Sequence, residues 1–180
     1  MPGTGTVLLS AGFGPPLHPP GRWVARQRLR HPVSGGPVDR ESGELIARLA
    51  AGAGLVRDSI ARLRALDLGD PVAADAARYR LIAAVEGATD MGITLLAERG
   101  GRPPESYPDV FLALARAGVI SVGLADQLAM VARLRDRLVH SPADVTGAEL
   151  AAGVELASRS LPEFLKLIAG FVGTDPDRWA

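Results

Sequence analysis

The chain has 180 residues, with 20 basic and 20 acidic side chains and no net formal charge. That length suits one domain, and the absence of cysteine excludes a disulfide framework and thiolate chemistry. No apolar run approaches the ~20 residues needed to cross a bilayer, and the N-terminal region lacks a signal-peptide core, so a cytoplasmic protein with no membrane association is expected.

Residues 1–37 hold Arg22, Arg26, Arg28 and Arg30 and no acid, so the remainder is acidic by four charges. An acidic body argues against sequence-blind coating of nucleic acid and leaves room for a small basic pocket. This first stretch is rich in Gly and Pro (Gly14-Pro15-Pro16, Pro19-Pro20-Gly21) and lacks helical or strand periodicity. It reads as a disordered leader or a misassigned start. In the latter case Val38 is the true first codon, and Ser34-Gly35-Gly36 encodes a ribosome-binding sequence.

From Asp39 the pattern is helical. Leu45, Leu49, Ala53, Val56, Ile60 and Leu63 mark a first long helix. Asp70-Pro71, a cap followed by proline at the first helical position, opens a second that runs to about Arg99. Its two apolar stripes (Ile82, Val85, Leu96; Leu81, Ala84, Met91, Leu95) predict a central position. Gly100-Gly101-Arg102-Pro103-Pro104 ends it. A short third helix is predicted from Ser106 to Ala117, with Gly118 as its stop. The fourth starts after Ser121 and cannot pass Pro142 cleanly. Thr146-Gly147-Ala148-Glu149 is a capping box for a fifth, whose seam is Leu150, Val154, Ala157, Leu161, Phe164 and Ile168. Pro162 predicts a kink or a division there. No segment alternates like a strand. The expectation is an all-α antiparallel bundle of about five helices over residues 38–172, with a short tail at 173–180.

The most unusual stretch is Arg133-Leu134-Arg135-Asp136-Arg137-Leu138-Val139-His140. Leu124, Leu128, Val131 and Leu138 form a buried seam, and Arg135 occupies the seam position between the last two. Ala125, Ala129, Ala132 and Val139 form the adjacent stripe, which Asp136 interrupts. An unpaired charge in a core is costly, so Arg135 needs either a buried carboxylate or a functional cleft. Glu86 and Asp90 stand at i, i+4 on the second helix. They read as ion-pair partners across the bundle, with Arg135 the obvious base, and alternatively as cation ligands.

The remaining inventory is small. There is no phosphate-binding glycine loop, no metal-ligand spacing and no nucleophile elbow, so neither cofactor nor metal is expected. His18 and His31 lie in the leader, which leaves His140. Arg135 and His140 are five residues apart, about 140° around an ideal helix. To act on one group, Arg135 must reach round, the helix must loosen, or a second subunit must contribute. An arginine with a histidine suits attack of an RNA 2′-OH on the adjacent phosphorus. Histidine moves the proton and the guanidinium stabilises phosphoryl charge.

Arg135-Asp136-Arg137-Leu138-Val139-His140 resembles the Arg-x4-His motif of HepT-like proteins in the HEPN superfamily. Arg78-Tyr79-Arg80-Leu81 leading to Glu86 and Asp90 resembles that family's second helix. Gly101-Arg102-Pro103-Pro104-Glu105-Ser106-Tyr107 and Ala117-Gly118-Val119-Ile120 resemble its middle segment. The likeness covers roughly residues 39–170. It implies a homodimeric, metal-independent RNase, the toxin of a type VII-like toxin–antitoxin pair, with Arg135 and His140 at the dimer cleft. It also implies an MNT-type nucleotidyltransferase antitoxin as partner and RNA as substrate. Asp136, Glu86 and Asp90 would support the catalytic pair. The family motif usually reads Arg-Asn-x3-His-x-Tyr, and its tyrosine is AMPylated by the antitoxin. Here Asp136 replaces the Asn and Pro142 the Tyr, so no modification is expected at that position. The alternative is a catalytically inactive dimerisation module that binds a nucleotidyltransferase.

Overall fold

The computed structural model describes residues 38–100, 102–175 and 179. The leader expectation therefore lies outside the described residues. Five α-helices follow in order: α1 (Val38–Arg64), α2 (Pro71–Glu98), α3 (Tyr107–Arg116), α4 (Val122–His140) and α5 (Gly147–Phe171). A single 3-10 turn, Pro142–Asp144, joins the last two. No strand occurs among the described residues. The bundle is all-α, as the periodicity predicts.

The helices α2 to α5 start where their capping chemistry lies. The Asp70 carboxylate accepts from the Val72 and Ala73 amides, with Pro71 in the first turn of α2. Ser106 and Ser121 accept from the Asp109 and Leu124 amides. At α5 both halves of the capping box form between Thr146 and Glu149. Gly118 ends α3 at φ +72°, where the Val119 amide donates back to the Leu114 carbonyl. A left-handed residue there lets the chain reverse without a Cβ clash.

The predicted seams are the buried ones. Leu49, Ala53, Val56, Ile60 and Leu63 of α1 are buried, as is the whole predicted seam of α5. α2 touches all four other helices, so its two apolar stripes do mark the centre. Phe111 of α3 meets Phe164 of α5 edge to face at 5.8 Å. Gly153 brings α5 close to α4, since a Cβ there would overlap Leu134. Beyond α5, Trp179 is buried against the core. Val139 departs from expectation. It is exposed, because the Ala125–Ala132 stripe turns outward past Asp136, while Leu138 on the neighbouring seam stays in the core.

Pro162 does not divide α5, which is one helix from Gly147 to Phe171. Proline at 162 removes the N–H that would have bonded to the Ser158 carbonyl. The Arg64 guanidinium, at the end of α1, donates to that same carbonyl at 2.6 Å. A side chain from a neighbouring helix supplies the missing donor, so the helix tolerates the proline.

The α4–α5 joint is held by two arginines. Arg78 of α2 donates to the carbonyls of Pro142 (3.2 Å) and Val145 (3.3 Å). Arg137 of α4 donates to the Asp144 carbonyl at 3.0 Å and pairs with Glu149 at 2.9 Å. The Arg137 hydrogen bond, then those from the Thr146 amide and hydroxyl, bring the Glu149 carboxyl down to about 2. The turn that follows His140 is thus tied to both α2 and α4.

Two outcomes are expected. Arg64→Met should lower the free energy of unfolding by about 0.5–1 kcal/mol, and by less in a Pro162→Ala background, where position 162 regains its N–H. Equal losses in the two backgrounds, measured by urea denaturation, would contradict the substitution of donors. For Glu149 the folded pKa lies below the ordinary 4.5. Its contribution to stability is therefore complete above the unfolded value and disappears as pH falls toward about 2. The stability gap between wild type and Glu149→Gln should be widest above about pH 5, narrow in acid, and shrink with salt because the carboxylate is exposed.

Candidate functional site

Arg135 reaches the core side of α4 because its position falls on the seam, and it is only 8% exposed. Its guanidinium meets three helices at once. Nη2 donates to Glu86 Oε1 of α2 at 2.5 Å and lies 3.5 Å from the Tyr107 hydroxyl of α3. Nη1 donates to Asp136 Oδ1, its neighbour on α4, at 3.3 Å. The guanidinium carbon sits 4.3 Å from the centre of the Tyr107 ring, a cation–π stack that fixes the plane of the fork. Nε is buried with no hydrogen-bond partner.

Burial opposes the charged guanidinium. The hydrogen bond to Glu86, the interactions with Tyr107 and Glu86, and the bond to Asp136 outweigh it and hold the pKa above its ordinary value. Tyr107 is also shifted upward, first by burial. Arg135 opposes that shift and Glu86, Asp90 and Asp136 reinforce it. The phenol therefore stays neutral, so Tyr107 adds a flat face and a dipole beside Arg135 without adding a competing anion.

His140, the last residue of α4, is exposed. No hydrogen bond or ion pair among the described residues engages it. α4 remains regular to its end, where the Ser141 amide donates to the Arg137 carbonyl at 2.8 Å. Two of the three routes to a shared group are thus closed in this conformation. The helix does not loosen before His140, and Arg135 points into its own cluster with Glu86 and Tyr107. Asp136 and His140, spaced i, i+4, share a stripe at the rim of α4. Asp136 is part of the Arg135 cluster and stands on the His140 side of it.

The structure joins Arg135, Asp136 and Glu86 from the predicted set. Asp90 is exposed and lines a cleft between α1 and α2 with Arg48, Gly52, Gly87 and Met91. Among the described residues no group of three or more His, Asp or Glu side chains is arranged to hold a metal ion. Tyr107 is the residue that sequence reading left without a role. Far from the motif in sequence, it is carried to Arg135 by the first turn of α3. Its signals in the sequence were its place just after the Ser106 cap and at the end of the segment that resembles the family's middle region. Pro142 opens the 3-10 turn, with its carbonyl held by Arg78.

No helix among the described residues is long and apolar enough to cross a membrane. Comparison with curated proteins finds no match. Among solved structures, the chain is similar to YutE of Bacillus subtilis, described as a cytosolic protein of unknown function. The two are 20% identical with a TM-score of 0.65 over 69% of this chain and 88% of that one. It is also similar to a toxin–antitoxin structure with AMP-PNP, at 19% identity and a TM-score of 0.63 over 67% of this chain and 97% of that one. A mutant MntA-HpeT toxin–antitoxin is similar at 21% identity and a TM-score of 0.57, over 69% and 97%. These likenesses establish the shared helical fold. The family model described as ribonuclease HepT-like matches residues 54–168. That span is more than half of the chain and contains Glu86, Tyr107, Arg135, Asp136 and His140, and the chain therefore belongs to the HepT-like ribonuclease family.

Proposed function

We propose that this chain is a cytoplasmic, metal-independent endoribonuclease and the toxin of a two-gene toxin–antitoxin pair, with Arg135 and His140 as its catalytic residues. The observation that carries the reading is the treatment of one arginine. A guanidinium is buried on a helical seam, oriented by Glu86 and stacked on Tyr107, within five residues of an exposed, unengaged histidine. Structural ion pairing alone requires neither the stack nor the histidine.

In this reading the 2′-OH of a ribose attacks the adjacent phosphorus and the P–O5′ bond breaks. The products are a 2′,3′-cyclic phosphate and a 5′-hydroxyl. His140 takes or gives the proton, and the Arg135 fork stabilises charge on the non-bridging oxygens. A phosphate must compete for that fork. The Asp136 bond, at 3.3 Å, is longer than the Glu86 bond, at 2.5 Å, so it yields first. Glu86 keeps hold of Nη2 and preserves the orientation.

Since Arg135 and His140 leave different sides of α4, the proposed site is completed by a second copy. Arg135 of one subunit serves His140 of its partner across a two-fold axis involving α4 and α5. A second reading is favoured by the double occupancy of the Arg135 fork. In it the chain is an inactive dimerisation module that still binds a nucleotidyltransferase. Cleavage decides between them.

Purified dimer should cut RNA in EDTA and leave cyclic phosphate ends, and His140→Ala should reduce the rate about 10²–10⁴-fold. Mixing inactive Arg135→Gln and His140→Ala chains should restore about a quarter of wild-type activity, because half the dimers are mixed and each holds one intact site. No recovery would refute the shared site, and intact RNA under every condition would leave the binding module. Asp136→Asn should strengthen phosphate binding by removing a competing anion.

The proposed partner is an MNT-type nucleotidyltransferase. With Pro142 where the family carries tyrosine, control is assigned to a tight complex that covers the Arg135/His140 cleft. After co-expression, mass spectrometry should find the partner bound and no added AMP on residues 135–145. A nucleotide adduct in that span would overturn this mode of control.

A further inference from the structure

Tyr79 and Glu86 are seven residues apart on α2, so they lie on one stripe about 10 Å apart along the axis. Glu86 holds Arg135, while Arg78, two turns nearer the start of α2, holds the carbonyls of Pro142 and Val145. α2 and α4 are therefore antiparallel here, and His140 falls between these two points of attachment. Tyr79 stands at the height of His140 along the bundle, on the stripe that leads to Arg135.

The Tyr79 ring is 65% exposed and takes no part in the core. Its hydroxyl makes no hydrogen bond among the described residues. The Arg80 guanidinium lies 5.5 Å from the ring centre, and no carboxylate among the described residues pairs with Arg80. A flat aromatic face and a free cation thus stand side by side at the surface. Single-stranded nucleic acids are bound by such surfaces, because every base has a face that stacks on tyrosine or arginine.

We propose that Tyr79, assisted by Arg80, is a stacking platform for a nucleobase flanking the scissile phosphate. The proposal rests on the nuclease reading of the same site. In-line attack by the 2′-OH requires the two nucleotides around the phosphorus to splay apart, which sacrifices their mutual stack. An aromatic ring level with His140 replaces that stack for one of them and keeps the splayed strand in place. Arg78 and Arg80 flank the ring with positive charge, which suits a phosphate backbone. Tyr79 acts as a positioning residue: it binds a base, leaving proton transfer to His140 and charge stabilisation to Arg135.

The test measures binding of a single-stranded RNA oligonucleotide to the full-length chain, made uncleavable by His140→Ala, with and without Tyr79→Ala. Tyr79→Ala should weaken binding roughly 5- to 100-fold, with Tyr79→Phe and Tyr79→Trp retaining it. The dependence of affinity on salt should keep its slope, because no phosphate contact is removed. An oligonucleotide lacking the bases on either side of the cleavage position should be indifferent to Tyr79→Ala. With His140 intact, Tyr79→Ala should raise KM. An equal loss on the abasic strand, a changed salt slope or unchanged affinity would overturn the platform. If the wild-type chain cleaves RNA and Tyr79→Ala leaves that unaltered, only the platform fails. If the chain neither binds nor cuts RNA, the nuclease reading fails and the platform with it.

Discussion

The contact between Arg135 and Glu86 is the constraint on which the rest of this bundle depends. Arginine at a seam position would be intolerable if the seam were wholly apolar, since a buried unpaired charge costs several kcal/mol (about 3–5 when a buried pair is broken). The bundle accommodates it by bringing a carboxylate from α2, a second from α4 and an aromatic face from α3 to one point. These partners belong to three helices, so the register between them is set by a polar contact as well as by packing. Glu86 and Asp136 remain partly solvated, which lowers the desolvation penalty of the pair and places the cluster at the rim of the core. A charged group held at a rim can be specific in orientation and still be reached by a ligand anion.

The turn after His140 has its own polar frame. Arg78 and Arg137 satisfy the carbonyls of Pro142, Val145 and Asp144, which lie between two helices and outside either ladder. Arg137 also joins the capping box through Glu149, so the end of α4 and the start of α5 are linked by one network. His140 is consequently presented at a helix end whose continuation is held, while its own ring is left unengaged. A proton-transfer group benefits from this combination, because a fixed backbone with an exposed imidazole can meet an incoming phosphate without rebuilding the fold.

Membership in the HepT-like ribonuclease family and the geometry of Arg135 are different kinds of observation on overlapping residues. The family match rests on the chain as a whole over residues 54–168. The orientation of the guanidinium rests on three side chains, two of which, Glu86 and Tyr107, lie outside the motif. The substitutions at 136 and 142 act at different points. Asp136 adds a charge to the fork itself, whereas Pro142 removes a side-chain hydroxyl and starts the turn that Arg78 holds. In the proposed reading the first bears on catalysis and the second on control.

The sequence by itself determined the helices, because caps, glycine stops and apolar spacing are local signals. Asp70-Pro71, Ser121, Gly118 and the Thr146–Glu149 box each appear where their chemistry placed them. It also singled out Arg135 as a charge on a seam and offered Glu86 and Asp90 together as its partners, since a periodic pattern makes an exception visible; the structure selects Glu86. Tertiary structure alone decided what α5 does at Pro162, because the replacement donor comes from Arg64, nearly a hundred positions earlier. It alone brought Tyr107 onto Arg135 and Tyr79 level with His140, through the crossing of α2 and α3 with α4. Local spacing carries no information about which faces of distant helices meet. That depends on how whole apolar stripes pack together, and here the packing assembled the site.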